Sequence, residues 1–226
     1  VELARGLLGT PKPVSMIYLL ASGIDIANDA LITGIESVLG KDVTIFGGTS
    51  SDQMQGVATF QAVDGQRFQH AAFAVGIWDP TLVVDTQATH GFVAHGEPMM
   101  VTAAEGNRII SLDGKPAWKR FLERLALPDN ATLANTIPIG ALAEELPQAL
   151  ADEYGNKHWL RVVTQRGAND ELIYATQVRV GTPLWLTVRD EDLIFRDMDR
   201  MVNAMLARSG GNKPVAVFQT DCLARG

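Results

Sequence analysis

Two short apolar runs and a helical pattern of apolar residues organise the first fifty positions of the chain. The runs lie at 14–20 and 43–46. Between them apolar residues recur at helical spacing through 24–39, and Gly40 is a typical helix stop. Two buried strands joined by a helix are typical of a β-α-β unit with parallel strands. The polar segment 47–51 is then expected at the carboxyl end of the second strand, where open α/β sheets bind their ligands.

Extended segments and turns alternate from residue 60 to residue 86. The pattern predicts a strand, a turn at Asp64-Gly65 and another strand at 71–77. The β character continues at 82–86, after Asp79-Pro80. Short consecutive segments of this kind are expected to form antiparallel strands.

A hairpin followed by an amphipathic helix is predicted between residues 98 and 125. Pro98 suits the start of a strand, and the apolar, partly β-branched run at 99–102 continues it. Turn residues at 104–107 can take positive φ and separate this run from a second one at 108–112. Pro116 then suits the first turn of a helix. The apolar residues at helical spacing in that helix are Trp118, Phe121, Leu122 and Leu125.

The composition becomes loop-like around residue 128, where a domain boundary is expected. The pattern beyond it predicts a helix at 139–154, interrupted or restarted at Pro147, and another at 190–207. It also predicts strands at 161–164, 172–179, 184–188 and 214–218, the last of them buried. The expected fold class is α/β in the broad sense (α+β). Two β-rich halves, 1–128 and 129–226, are expected to have mixed sheets packed against helices.

Composition and charge narrow the classes of partner. The chain has 226 residues, 46% of them hydrophobic, which is ordinary for a globular protein with a real core. A net charge of −7 disfavours nucleic acid or an anionic membrane as the main partner, because both need clustered lysine and arginine. No apolar run approaches the ~20 residues of a membrane helix, so membrane insertion is not expected. The single cysteine, Cys222, excludes an internal disulfide and fits a reducing compartment, so the expected location is the cytoplasm.

Several short motifs occur in an order that chance alone rarely produces. They are, in chain order, Phe46-Gly47-Gly48-Thr49-Ser50-Ser51, His90-Gly91, Gly96-Glu97-Pro98, Val101-Thr102, Ala104-Glu105-Gly106-Asn107, Leu112-Asp113-Gly114-Lys115-Pro116-Ala117 and the final run from Val217 to Gly226. This series resembles the FIST family, named for F-box and intracellular signal transduction proteins. The final run resembles the Phe-x-x-x-Cys-x-x-Arg-Gly signature of the C-terminal FIST module. That module normally continues further, so the half at 129–226 is expected to be an incomplete module in a piece of a longer protein.

The resemblance implies a sensory or regulatory domain of signal transduction and not an enzyme. Such a domain is expected to bind a small ligand, such as an amino acid or another small carboxylate, without a cofactor. It would pass its state to a signalling protein such as a histidine kinase or a chemotaxis component. Two alternatives stay open: a nitric oxide sensor that binds haem b and acts on a histidine kinase, and a protein-interaction scaffold without a ligand. The common catalytic signatures are absent from the sequence, which agrees with the non-enzyme interpretation.

The motifs also indicate where the ligand would bind. Exposed N–H groups and neighbouring hydroxyls in the segment 47–51 suit a small polar molecule, although such a sequence is also typical of a simple turn. The ligand is expected between the two halves, where this segment and three later motifs would meet. The predicted ligand-binding residues are Gly48, Thr49, Ser50, His90, Gly91, Asp113, Cys222 and Arg225.

Two histidines, His90 and His95, are the candidate haem ligands. His90 is interpreted as a ligand-facing residue, as a haem ligand in the alternative function, or as a structural histidine at a strand end. His95 is the other candidate haem ligand, and it lies in Ala94-His95, where the family usually has a bulky or polar pair. An odd separation along a strand places the two histidines on opposite faces, so a metal site formed by both is not expected.

Cys222 and Arg225 have two interpretations each. Beside Arg225, Cys222 suits a reactive thiolate, but a small buried cysteine at a strand end is commoner. The family resemblance implies that Cys222 lies in the wall of a pocket. Arg225 suits a bidentate clamp on a carboxylate or an ion pair with Asp221.

Overall fold

The computed structural model describes residues 1–9, 12–24, 26–52, 57–136 and 140–222. The chain forms two compact units, Val1–Thr86 and Gln87–Gly226. Both units combine helices with strands, which confirms the expected α+β class.

The first unit contains the predicted parallel β-α-β arrangement. Its elements are α1 (Glu2–Leu8), β1 (Met16–Ser22), α2 (Asn28–Leu39), β2 (Thr44–Ser50), β3 (Phe60–Val63), β4 (Gln66–Gln69) and β5 (Ala72–Ile77). β1 pairs in parallel with β2 and antiparallel with β5. Its buried core residues are contributed by α1, β1 and α2, and they are Ala4, Ile17, Leu19 and Ile35.

Strand β2 continues through most of the polar segment that was expected to be a loop. Residues 47–50 pair in register with residues 19–22 of β1. A close backbone approach accompanies this pairing, since Gly47 has φ +148° and a Cβ atom there would lie 1.8 Å from the carbonyl oxygen of Leu19. Only glycine leaves room for this approach, so the expected loop is limited to the residues after Ser50.

A two-stranded hairpin, formed by β3 and β4, follows the parallel strands. Its turn is Asp64-Gly65, as predicted, and both residues have positive φ, 51° and 77°, as a type I′ turn requires. The predicted strand at 71–77 is confirmed as β5. The strand expected at 82–86 is not formed. All of these residues are described, none of them lies in a strand, and Val83 is 93% exposed.

The second unit is built on an antiparallel sheet. Its elements are β6 (Phe92–Glu105), β7 (Arg108–Leu112), β8 (Lys115–Pro116), α3 (Ala117–Leu125), α4 (Leu133–Thr136), β9 (Leu142–Glu145), α5 (Gln148–Tyr154), β10 (His158–Arg161), β11 (Gln165–Arg166), β12 (Leu172–Ile173), β13 (Pro183–Arg189) and α6 (Glu191–Arg208). The strand order is β10-β9-β13-β6-β7-β12-β11, with β8 paired to β7. The predicted hairpin β6–β7 thus shares its sheet with later strands. For this reason the compact unit begins at Gln87, whereas the sequence composition placed a boundary near residue 128.

Helix α3 packs its predicted apolar face into the core of the second unit. Trp118, Phe121 and Leu122 are buried, and the rings of the first two meet edge to face with centroids 6.2 Å apart. Met99 and Leu184, from β6 and β13, belong to the same core.

Strand β6 is longer than the strand predicted after Pro98. It tolerates this proline through a bulge: Met99 faces Leu184 and His95 faces Leu186, which leaves three residues of β6 opposite one residue of β13. A proline in a bulge is not required to donate to the ladder.

Several predictions for the later half of the chain are corrected. The helix expected at 139–154 is a strand followed by a helix, β9 and α5, because residues 142–145 fill the place between β10 and β13 in the sheet. Residue Ile139 itself lies outside the described part. Of the strand expected at 172–179, only Leu172–Ile173 is formed. The predicted strand at 184–188 and helix at 190–207 are confirmed as β13 and α6.

The buried strand expected at 214–218 is not formed. Val215 and Val217 are 91% and 80% exposed, and none of the described strands pairs with this segment. An apolar, β-branched run becomes a strand only where a neighbouring edge is available to it. The helices in the described ranges include none with the length and apolar character needed to cross a membrane.

Candidate functional site

A buried polar cluster lies at the carboxyl ends of the parallel strands β1 and β2. Ser22, the last residue of β1, is fully buried, and its Oγ lies 2.7 Å from Oγ1 of Thr59, just before β3. Gln61 of β3 donates from Nε2 to Oγ of Ser50, the last residue of β2, over 2.7 Å. We call these four residues the strand-end cluster.

One atom of the strand-end cluster has no partner. Gln61 is 6% exposed, and its Oε1 is buried without a hydrogen bond among the described residues. The Gln61 amide is oriented with Nε2 toward Oγ of Ser50, and the Ser50 hydroxyl lies 3.4 Å from the carbonyl oxygen of Ala21. An unpaired buried acceptor costs about 1–3 kcal/mol, so a group that donates to Oε1 would stabilise the cluster.

The predicted segment at the end of β2 contributes Ser50 to this cluster. Thr49 is exposed, and the alternation of side chains along a strand places it on the opposite face from Ser50. Gly48 is half-buried and pairs with Leu20 of β1. A ligand on one face of β2 therefore meets the hydroxyl of Ser50 or that of Thr49, but not both.

His90 has both ring nitrogens bonded to the backbone of its own unit. Nδ1 accepts from the N–H of Phe92 over 3.0 Å, which leaves Nε2 to donate to the carbonyl oxygen of His158 over 2.9 Å. These bonds correspond to the structural interpretation of His90. Coordination of an iron atom by either nitrogen would require one of them to break.

The residues next to His90 are held by neighbouring elements. The side chain of Gln87 donates to the carbonyl oxygen of Tyr154 over 2.9 Å, and Asn156 donates to that of Ala88 over 3.1 Å. Gly91 has φ +68° and packs against α6, where a Cβ atom on it would lie 2.5 Å from Cα of Ile194. The His90-Gly91 motif thus fixes the entry into β6.

Asp113 organises the turn that follows β7. Its carboxylate accepts from the N–H of Met100 over 2.8 Å and from Nε of Arg120 over 2.9 Å. Partial burial opposes ionisation of Asp113, but these bonds outweigh it and hold the pKa of the carboxyl below its usual range. The next residue, Gly114, donates its N–H to Oγ1 of Thr102 over 3.0 Å. In the described contacts, Asp113 is a structural residue with its charge compensated by Arg120.

The remaining predicted residues are exposed or lie outside the described part. Cys222 is exposed, contrary to the burial expected at a strand end, and its N–H donates to the Asp221 side chain over 3.0 Å. Arg225 lies outside the described residues. His95 is exposed at the bulge of β6.

The predicted site residues are divided between the units. Gly48, Thr49 and Ser50 belong to the first unit, and the other described candidates belong to the second, so a shared site stays a prediction. Sequence reasoning missed Ser22, Thr59 and Gln61. The sequence signal available for them was their position near predicted strand ends, because polar residues next to the carboxyl ends of parallel strands are candidate ligand contacts in any open sheet.

The free energy of unfolding is expected to decrease on mild acidification, because His158 binds a proton more readily in the unfolded state than in the folded state. Burial of its ring, followed by the charge of Lys157, lowers the pKa of His158 from 6.5 and outweighs the opposite effect of Glu145. A folded-state pKa below the unfolded one means that this stabilisation is complete above about pH 6.5 and is lost as the pH falls below it. Urea denaturation between about pH 7.5 and pH 5.5 should show a larger loss of stability in the wild type than in His158→Gln. Equal losses in the two proteins would refute this assignment.

The fold and the strand-end cluster define an α+β domain with a buried polar site and, in the ranges described, no group of three or more potential metal ligands. A family model, the FIST N domain, matches residues 1–115, and the chain belongs to the FIST family. FIST domains are sensory domains of signal transduction. The resemblance in the N-terminal motifs is thereby confirmed, while the C-terminal module at 129–226 stays a prediction.

One relative is an uncharacterized protein of Methanocaldococcus jannaschii. It is 35% identical over 94 residues, which are 41% of this chain and 18% of the relative. The matched part is therefore a small fraction of that protein. No solved structure matches the chain.

Proposed function

We propose that this FIST chain is the ligand-recognising part of a cytoplasmic signalling protein. Its ligand is a small polar molecule, an amino acid or another small carboxylate, and it binds at the strand-end cluster of the first unit. Occupancy of the site is passed to a signalling partner such as a histidine kinase or a chemotaxis component.

The observation that carries this proposal is the unpaired Oε1 of Gln61. It is a buried acceptor at the carboxyl ends of parallel strands, where open sheets bind ligands. Three hydroxyl side chains surround the same strand ends, so the position offers directed hydrogen bonds in a buried setting.

The test is a thermal-shift screen of the full chain against amino acids, small carboxylates and haem. A ligand at about 100 times its Kd stabilises the native state by about 2.7 kcal/mol and raises Tm by several degrees. Ser50→Ala should reduce the ligand-induced shift, because Ser50 holds the Gln61 amide in place.

The matched control is Ser37→Ala. Ser37 is an exposed serine on α2 of the same unit, and its hydroxyl donates to the carbonyl oxygen of Gly34. The ligand-induced shift should be unchanged in this variant. A screen without any shift, or equal shifts in both serine variants, would contradict the proposed site.

An absorption spectrum of the protein with added haem distinguishes the haem sensor from a sensor of small polar ligands. A Soret band that is lost in His95→Ala, without a shift by any amino acid or carboxylate, would favour the haem sensor. His90 is the weaker candidate ligand, because its nitrogens already bond to Phe92 and His158.

A protein-interaction role is the second candidate. Helix α6 exposes Phe195, Val202 and Leu206 at helical spacing, and Val215 and Val217 follow as exposed apolar residues. Exposed apolar side chains in such a series favour contact with another protein. A signalling partner of the sensor would be one such protein.

A further inference from the structure

The strand-end cluster contains one buried acceptor that receives no hydrogen bond from the described residues. The hydroxyl of Ser50 donates to Ala21 and accepts from Gln61. Ser22 accepts from the N–H of Ile24 over 3.4 Å and shares one hydrogen bond with Thr59. Oε1 of Gln61, with its two lone pairs, is the buried side-chain atom of the cluster that has no hydrogen-bond partner among the described residues.

One acidic residue, Asp52, lies next to the strand-end cluster in the sequence. Asp52, two residues after Ser50, accepts from the N–H groups of Val57 and Ala58 over 2.6 and 3.2 Å, which closes the loop before Thr59. No lysine or arginine takes part in the hydrogen bonds of the strand-end cluster within the described ranges. The described hydrogen bonds of the cluster therefore include no cation of the kind that commonly neutralises a bound carboxylate.

We infer that the strand-end cluster recognises a hydrogen-bond donor of its ligand, a primary ammonium or carboxamide group, with Oε1 of Gln61 as the acceptor. The inference rests on the proposed function, because it names the part of the ligand that the same site binds. An N–H group supplies the hydrogen bond that Oε1 lacks. A carboxylate offers only acceptors, so it would place negative oxygen against the oxygen of Gln61 without compensation.

The place of Gln61 in the hairpin makes this acceptor a fixed one. Gln61 faces Phe68 across the β3–β4 ladder, and its Nε2 is bonded to Ser50. The backbone ladder and this hydrogen bond hold the amide in one orientation, so Oε1 is positioned before a ligand arrives. A preorganised acceptor distinguishes ligands by whether they donate.

The first experiment compares three matched sets of compounds on the wild-type full chain by thermal shift. The sets are amino acids, the corresponding amino acid amides, and the corresponding carboxylic acids without the amino group. We expect amino acids and amides to raise Tm and the carboxylic acids to leave it unchanged. Equal shifts by the carboxylic acids would overturn the inference and leave the proposed function intact. No shift by any set would overturn both.

The second experiment titrates two Gln61 variants with the best amino acid of the first set. Gln61→Met keeps the length of the side chain and removes the acceptor, so affinity should fall about tenfold or more. Gln61→Glu keeps acceptor oxygens and adds a negative charge, and the Ser50 hydroxyl can donate to the new carboxylate in place of the lost Nε2 bond. An ammonium ligand should therefore bind at least as well as in the wild type. Gln66→Met, an exposed change in the same hairpin, is the control. Wild-type affinity in Gln61→Met would overturn the inference, and if that variant does not fold, Gln61→Glu and the compound sets decide it.

Discussion

Replacement of Gly47 by alanine is expected to disrupt the β1–β2 pairing and destabilise the first unit by at least about 3 kcal/mol. The new Cβ atom would lie 1.8 Å from the carbonyl oxygen of Leu19, which is backbone and cannot rotate away. The glycine also has φ +148°, a conformation that alanine rarely adopts. Hydrogen exchange of the β1 and β2 amides in the full chain, together with urea denaturation, measures the effect.

Gly40→Ala is the matched control for this change. Gly40 also has positive φ, +88°, and lies in the same unit, but no heavy atom lies within 4 Å of its added Cβ. Its cost is limited to the backbone conformation, φ 88° with ψ 170°, which is nearly restricted to glycine and costs about 1–3 kcal/mol. Similar exchange of the β1 and β2 amides in both variants would show that the close approach at Gly47 is not required.

Replacement of Gly91 by alanine is expected to displace α6 from the start of β6, at a cost of about 2–4 kcal/mol. The added Cβ atom would lie 2.4 Å from Cγ1 and 2.5 Å from Cα of Ile194, so rotation of the isoleucine side chain cannot relieve the clash. Faster hydrogen exchange in α6, with a lower urea midpoint, is the expected result.

Gly181→Ala is the matched control for this change, because it replaces a glycine with positive φ without introducing the steric clash expected at Gly91. Gly181 has φ +86° in the same unit, and no heavy atom lies within 4 Å of an added Cβ. We expect unchanged exchange in α6 and a loss of about 1 kcal/mol in this control. Protection of α6 in Gly91→Ala at the level of the control would contradict the packing role of Gly91.

The described contacts give structural roles to two motifs that carried the family resemblance. His90-Gly91 fixes the entry into β6, and Asp113 binds the N–H of Met100 and the guanidinium of Arg120. The motif at the end of β2 differs, because Ser50 bonds to Gln61, whose Oε1 has no partner among the described residues.

The elements with strong local signals were predictable from the sequence. The Asp64-Gly65 turn, helix α3 and helix α6 depend on turn chemistry and apolar spacing within a few residues. Predictions were wrong for segments whose secondary structure depends on which strands lie beside them in the sheet. Residues 142–145 became a strand because β13 and β10 flank them, and residues 214–218 remained exposed because no described strand pairs with them.

The candidate site was predictable only in part. Its general place, at the carboxyl end of β2, followed from the β-α-β pattern, and Ser50 was named from that pattern. Thr59 could not be identified, because its contact with Ser22 joins residues 37 positions apart. Gln61 could not be identified either, since an unpaired acceptor is defined by the absence of neighbours in three dimensions.

The sequence by itself determined the family, the α+β class, the parallel β-α-β unit and the amphipathic helices of this protein. These follow from motif order and from periodicities of two and 3.6 residues, which act over short distances along the chain. The tertiary structure alone decided that Gly47 lies inside a strand against Leu19, and that Gln61 is buried beside Ser50 with one oxygen unpaired. The physical reason is that burial and close approach arise from the pairing of distant strands, and local spacing carries no information about which strand edges meet.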